Sequence, residues 1–348
     1  MPFLTDSLDD EDEVLGALAE SFGNLIEPVG GGEHAACLLK PLASLATVEE
    51  LAVRDKCVAS MRKVIAALPA AQFKSEVPPL LAQLAAGEWF TGRVSAAALF
   101  DAVYARCDAA TQSAQRQLFH KLCVDETPMV RRAAAANLGK FGITQSKEHI
   151  KSDTLPMFLA LAKDDQDSVR LLAVENCILL ATALAPATEL VLPTMLACAR
   201  DASWRVRYAV AERFCRLCEA VGREVTAREL LPAYVKLLKD GEAEVRTAAA
   251  DKVSGVCQLI SNELAIEHVL PCIKLLVVDS SQHVRAGWGG GVVLLIIYVR
   301  MIIILTISVC CSACNVCCVA RFFVWKERDN RSFGKKCLMF QRIHFWND

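Results

Sequence analysis

Sixteen cysteines and six histidines are the residues of this 348-residue chain best suited to metal, nucleophilic or acid–base chemistry, and their spacing supports none of it. His34, His120, His149, His268, His283 and His344 form no HExxH pair, the spacing that sets two imidazoles on one helical face for zinc. Gly30 to Gly32 suggest a phosphate-cradling loop, but no Lys-Ser or Lys-Thr follows, and a turn between helices explains them better. No GxSxG elbow is present. Cys215 and Cys218, in CRLC, fall in a helical stretch where two small apolar residues pack on neighbours. The cluster Cys310, Cys311, Cys314, Cys317 and Cys318 has CxxC spacing, yet lacks a second pair at zinc-ribbon distance and a close histidine. The chain is read as a non-enzyme with no catalytic, cofactor or metal residues.

The residues that do recur at a set spacing are charged. Arg54, Arg93, Arg131, Arg170, Arg207, Arg246 and Arg285 are separated by 39, 38, 39, 37, 39 and 39 positions. One further step back reaches Leu15 after Val14, a degenerate first copy that makes eight units. Asp125, Asp164, Asp201, Asp240 and Asp279 each stand five residues before the valine that precedes the repeated arginine. Their chemistry is ion pairing between stacked copies, and most of the repeated arginines are read as structural rungs. As exposed pairs they contribute only about 0 to 1 kcal/mol each, which leaves most of the stability to apolar packing.

A period of this length predicts an all-α, right-handed α-solenoid of helix-turn-helix units of about 39 residues. In the unit marked by Arg170, Leu155, Phe158, Leu159 and Ala162 form one helical stripe, and Val169, Leu172, Ala173, Cys177 and Leu180 form the next. Thr127, Ser168 and Ser203 are the expected N-caps, and Gly139, Gly142 and Gly222 stand where second helices should stop. Pro2, Pro41, Pro79, Pro156, Pro193, Pro232 and Pro271 are expected to open the first helices.

Composition narrows the function. With 38 Lys and Arg against 40 Asp and Glu, the chain lacks the basic excess of a nucleic-acid binder. The acidic opening MPFLTDSLDDEDE is no signal peptide, so the cysteines imply a reducing compartment, the cytoplasm with the nucleus as a second location. Apolar residues reach 54%, with the excess concentrated after about residue 287.

The period, the LPxx...D...VR skeleton and the paired helices resemble HEAT repeats. The segments PFLTDSLDDEDEVLGALAE, LASLATVEELAVRDK, GEWFTGR, DETPMVRRAAAANLG, DDQDSVRLLAVE, SWRVRYAVAERF, and CEAVGREVT followed by EAEVR resemble the scaffolding A subunits of protein phosphatase 2A. The likeness runs from residue 1 to about 286, some seven full units and the start of an eighth. It implies a chain truncated at both ends relative to a fifteen-repeat family, a solenoid over 1–286, and a tail over 287–348 outside the repeat fold.

The resemblance also implies a role. Family members bind regulatory B subunits through the intra-repeat turns of the earlier repeats and the catalytic subunit through the last five, which would be absent here. The matching partner-binding positions are Glu49, Glu50, Trp89, Phe90, Glu126, Thr127, Pro128, Arg131, Arg132, Asp165, Gln166, Asp167, Ser203, Trp204 and Arg205. Read from the residues alone, Trp89 and Trp204 are balanced between interface hot spots and rings packed on a neighbouring repeat. The resemblance tips them toward contact.

Two other classes stay open at this level. A HEAT-repeat transport receptor carries cargo, but the turns DETPMVRR and SWRVRY favour the phosphatase scaffold. A membrane-tethered adaptor would use residues 292–319, where Arg300 is the only charge and Lys326, Arg328, Arg331, Lys335 and Lys336 follow. Positive-inside logic would put the repeats opposite the cytosol, so membrane binding is disfavoured and the tail is read as foreign to the family.

Overall fold

The computed structural model describes residues 10–286, all of which lie in one compact unit. Pro2, the 292–319 segment and the Cys310 to Cys318 cluster lie outside the described residues. Among the described residues all regular structure is helical. Helix α1 (Asp12–Phe22) is the second helix of the degenerate unit; α2 (Leu39–Leu45) pairs with α3 (Leu51–Ala67), α4 (Ala70–Ala85) with α5 (Phe90–Ala97), and α6 (Ala109–Cys123) with α7 (Pro128–Gly142). Next, α8 (Leu155–Leu161) pairs with α9 (Ala173–Leu184), and α10 (Leu192–Cys198) with α11 (Trp204–Glu212), which α12 (Phe214–Val221) continues. The final pairs are α13 (Leu231–Leu237) with α14 (Ala243–Asp251), and α15 (Leu270–Val277) with α16 (Gln282–Ala286).

Second helices lie on second helices of the next unit, α1 on α3, α5 on α7, α7 on α9 and α11 on α14, while α4 and α6 do the same for first helices. This is the all-α HEAT solenoid that the period predicts. Each helix buries one stripe: on α7 it is Val130, Ala134, Leu138 and Phe141. Phe141 stacks on Phe119 at 4.5 Å and meets Phe100 and Tyr104 edge-on, joining neighbouring units through one buried aromatic knot. Burying each such ring contributes about 1.5–3 kcal/mol, far more than an exposed ion pair.

Three sequence expectations are corrected. Pro79 does not open its helix but lies inside α4, whereas Pro156, Pro232 and Pro271 stand in the first turns of α8, α13 and α15, each behind an α-turn and a π-helical turn, at Ile150–Thr154, Thr226–Leu230 and Ala265–Val269. Proline lacks an N–H and its ring crowds the carbonyl four residues back, so the helix widens to pass it. Ser168 is no cap, because it lies inside Asp167–Arg170, which Gln166 precedes. Gly139 does not stop α7 but sits within it, where a Cβ would lie 2.6 Å from Leu179 Cδ1 and 2.8 Å from Asn176 Oδ1. That approach lets buried Asn176 accept from the Gly139 N–H at 2.9 Å and donate to the Ala135 carbonyl at 2.9 Å. Gly222 does end its helix, at φ 84°.

Thr127 and Ser203 occupy N-cap positions, but their hydroxyls do not cap. The repeated aspartate supplies the acceptor instead. Asp125, Asp164, Asp201, Asp240 and Asp279 each accept, through Oδ1, the backbone N–H two residues on, at 2.8–3.0 Å. The other side of each carboxylate meets the preceding unit's arginine: Arg93–Asp125, Arg131–Asp164, Arg170–Asp201, Arg207–Asp240 and Arg246–Asp279 pair through Nε at 2.6–2.8 Å. Nη2 adds a second bond at 2.8–3.1 Å. The same guanidinium donates through Nη1 to two carbonyls of its own turn, as Arg207 does to Asp201 and Ala202 at 2.8 and 3.1 Å. These are carbonyls of the turn between the paired helices, to which no backbone N–H donates.

The rungs are not exposed, and this revises their worth. In the Arg207–Asp240 pair the side chains are 17% and 9% accessible. Bidentate, charge-assisted and largely shielded pairs resist screening, and removing one member strands the other. Burial pushes the Asp164, Asp201 and Asp240 carboxyls up, but the arginine and turn N–H bonds outweigh it and leave all three below the usual carboxylate range. Asp279 is held low chiefly by Arg246.

Three outcomes follow. Asp201→Ala should cost about 3 kcal/mol in thermal unfolding because it leaves Arg170 unpaired, whereas Arg228→Ala, whose side chain is 63% exposed beside Glu229, should change stability by less than about 0.5 kcal/mol. Gly139→Ala should lower stability by about 1–3 kcal/mol through crowding, measured by circular dichroism melts. Because the Asp164, Asp201, Asp240 and Asp279 carboxyls are depressed on folding, their stabilisation is present above about pH 4 and is lost as pH falls through the lower folded values. Melting midpoints should therefore drop on going below about pH 4, and Asp201→Asn should flatten that drop.

Candidate functional site

The ladder holds a row of turns, one per unit, each entering its second helix through an extended residue. Glu50 (φ −71°, ψ 120°), Trp89 (φ −76°, ψ 122°), Thr127 (φ −83°, ψ 117°), Gln166 (φ −86°, ψ 122°) and Ser203 (φ −77°, ψ 125°) adopt the same conformation. The partner-binding residues expected from sequence therefore fall at equivalent places. Glu49 and Glu50 are exposed, and Glu50 caps α3 by accepting from the Ala52 N–H. Trp89 is 71% exposed and Phe90 half-buried beside it. Glu126, Pro128 and Arg132 are exposed and Thr127 is half-buried. Asp165 and Gln166 are exposed, with Asp167 half-buried.

Ser203, Trp204 and Arg205 form a patch shared by two units. Asp167 accepts from the Ser203 hydroxyl at 2.8 Å and from Arg205 Nη1 at 3.4 Å. The Ser203 bond, aided by Arg205, holds the Asp167 carboxyl below its ordinary value. Arg205 stands 5.4 Å over the Trp204 ring, and Trp204 meets Tyr208 edge-on at 6.3 Å. Trp204 remains 36% exposed and Tyr208 37%, so a cation and two aromatic rings face solvent in one preorganised group.

Arg131 and Arg132 separate by role. Arg131 bonds Asp164, Asp165, and the carbonyls of Asp125 and Glu126, so its guanidinium is spent inside the ladder. Arg132 is exposed. Two ridge residues escaped the sequence reading: Leu51 and Met129, 56% and 55% exposed, project from the same first turns of second helices as Phe90 and Trp204. Their signal was positional. Leu51, Phe90 and Trp204 all stand three residues before the repeated arginine, and Met129 stands two before it, so a register read against that arginine finds both.

Nothing in the described thiols adds reactivity. The ten described cysteines are free, and burial raises Cys57, Cys198 and Cys218 to about 12, far from thiolate formation at neutral pH. Gly30 and Gly31, at φ 106° and 81°, form a turn between units. Among the described residues no three His, Cys, Asp or Glu side chains could hold a metal, and no helix is long and apolar enough to cross a membrane.

Comparison with known proteins agrees with this arrangement. A family model described as PPP2R1A-like HEAT repeat matches residues 223–296, and one described as HEAT repeat matches 191–221. The regulatory A-type subunit of protein phosphatase PP2A from Schizosaccharomyces pombe is 44% identical over 226 residues, covering 64% of this chain and 38% of the relative. The protein phosphatase 2A scaffold subunit of Dictyostelium discoideum is 52% identical over 159 residues, 45% of this chain and 27% of its own length. The beta isoform of the human 65 kDa regulatory A-type subunit is 52% identical over 141 residues, 40% of this chain and 24% of the relative. The matched region thus spans less than two fifths of each of these relatives. Among solved structures, Kap121p bound to Nup53p is similar with a TM-score of 0.64 at 14% identity, over 82% of this chain and 32% of that one, a likeness of fold alone. The chain is thus an all-α HEAT-repeat solenoid that, over the matched residues, is similar to protein phosphatase 2A regulatory A-type, or scaffold, subunits.

Proposed function

We propose that this chain is a non-catalytic scaffold whose turn ridge docks a regulatory B subunit of protein phosphatase 2A in the cytoplasm. The observation that carries the reading is the pair of exposed tryptophans, Trp89 on a turn whose Gly87 and Glu88 carbonyls accept from Arg93, and Trp204 on a turn braced by Asp201 and Arg207. A rigid aromatic anchor loses little conformational freedom on association, and Trp and Arg are the residue types that dominate interface energies. The names of the relatives support the phosphatase assignment; the likeness to Kap121p, at 14% identity, does not argue for cargo transport. We assign the catalytic subunit no contact on this ridge.

Binding of the full chain to purified regulatory and catalytic subunits tests this. The regulatory subunit should be captured, and Trp204→Ala and Trp89→Ala should each weaken it by roughly tenfold or more with unchanged helicity, as expected for an anchor worth about 2 kcal/mol. Unchanged affinity in both variants would sink the ridge reading. Strong capture of the catalytic subunit by itself would overturn the division of labour proposed here.

A further inference from the structure

One rung of the ladder is missing. The position six residues before Arg93, where the five following units carry an aspartate, is Gly87, and the Nε of buried Arg54 has no acceptor among the described residues. The two units are tied instead by the Thr91 and Ser95 hydroxyls, which donate to the carbonyls of Thr47 and Ala46, both at 2.7 Å. With no side chain at Gly87, the turn leading to Trp89 opens on a groove of about 620 Å³ between α2 and α4. Its apolar walls are Leu39, Leu80 and Leu84, and the exposed Trp89 lines it beside Glu88.

The charged lining is Lys40, Glu76 and Glu88, all exposed, so carboxylates outnumber the one cation. Glu76 accepts only from the adjacent Ser75 hydroxyl, at 3.4 Å, and neither glutamate has an ion-pair partner among the described residues. The Trp204 turn shows what such groups do when a cation is present. There Arg205 stands 5.4 Å over the indole and donates to Asp167 at 3.4 Å, so ring, guanidinium and carboxylate all come from the chain itself. Trp89 is followed by Phe90 instead, and the nearby Arg93 is spent on Asp125 and on the Gly87 and Glu88 carbonyls. Among the described residues no cation lies over the Trp89 ring. This turn therefore offers the ring and the carboxylates and lacks only the cation. An indole face beside unpaired carboxylates attracts a cation, and leucine walls favour one carried on an apolar chain over a free ion.

We propose that this groove docks an apolar segment of a protein partner that carries a basic side chain, arginine by the precedent of the Trp204 turn, whose cation lies over Trp89 and pairs with Glu88. The occupant is set by charge complementarity: the lining has a carboxylate in excess, and a guanidinium both stacks on an aromatic face and bonds a carboxylate. This deepens the ridge reading at the Trp89 turn and rests on it for the partner being a protein.

Titration calorimetry of the full chain with acetyl-Leu-Leu-Arg-Leu-Leu-amide, and with the same peptide carrying citrulline, which keeps the shape of arginine without its charge, tests the groove without any regulatory subunit. Wild type should bind the arginine peptide more tightly, by about fivefold or more. Glu88→Gln and Trp89→Leu, both at exposed positions, should each cut that preference by about half or more, while Glu219→Gln, an exposed glutamate on α12, should leave it intact. Equal affinity for the two peptides in wild type, binding of neither, a preference retained in full in Glu88→Gln or Trp89→Leu, or one lost in Glu219→Gln would each overturn the proposal. The wild-type comparison decides even if a variant folds poorly. A negative result here leaves the capture of the regulatory subunit standing, and unchanged capture by the Trp89 and Trp204 variants would sink the ridge reading whatever the peptides do, so the two fail separately.

Discussion

A single guanidinium joins each rung-linked pair of units by doing three things at once. It satisfies two carbonyls of its own turn, grips the next unit's aspartate in a bidentate pair, and thereby orders the acceptor that caps the next second helix. The turn, the helix start and the register between neighbours are therefore one coupled structure. Stability in a repeat array is a sum of unit and nearest-neighbour interface contributions, so a device placed at each interface acts on the whole stack.

That coupling explains why the turns can carry function. Turn residues of a helical pair are usually the least ordered part of the unit, and ordering them on binding would cost free energy. Here the backbone beneath Trp204 is held by Asp201 and Arg207, while the side chains above it, Ser203 and Arg205, are tied to Asp167 of the preceding unit. At Trp204 the ridge therefore presents its aromatic side chain on a backbone that is already hydrogen-bonded in place. Where the ladder lacks a carboxylate, at Gly87, the turn bears the more exposed tryptophan, Trp89.

The π-turns before Pro156, Pro232 and Pro271 show a second constraint of the same kind. Each proline breaks one helical hydrogen bond, and the widened turn absorbs the loss without ending the helix. The recurrence of this feature at the same place in three units makes it part of the repeat and not a local accident.

Much of this was legible in one dimension. The period of about 39, set by Arg54 through Arg285, gave the all-α solenoid, the number of units and the pairing of Asp with Arg, because stacking identical units forces equivalent residues into contact. The turn positions of Trp89 and Trp204 followed from the same register. What spacing could not decide was exposure and satisfaction. Whether a rung is shielded depends on the neighbours that close over it, whether Gly139 ends a helix or admits Asn176 depends on the next unit's second helix, and whether Arg54 finds an acceptor depends on a residue 33 positions away. Sequence alone therefore determined which residues repeat and which units meet; only the tertiary structure decided which charges are shielded, which rings stay exposed and which donor is left over, because those are properties of surfaces brought together by packing.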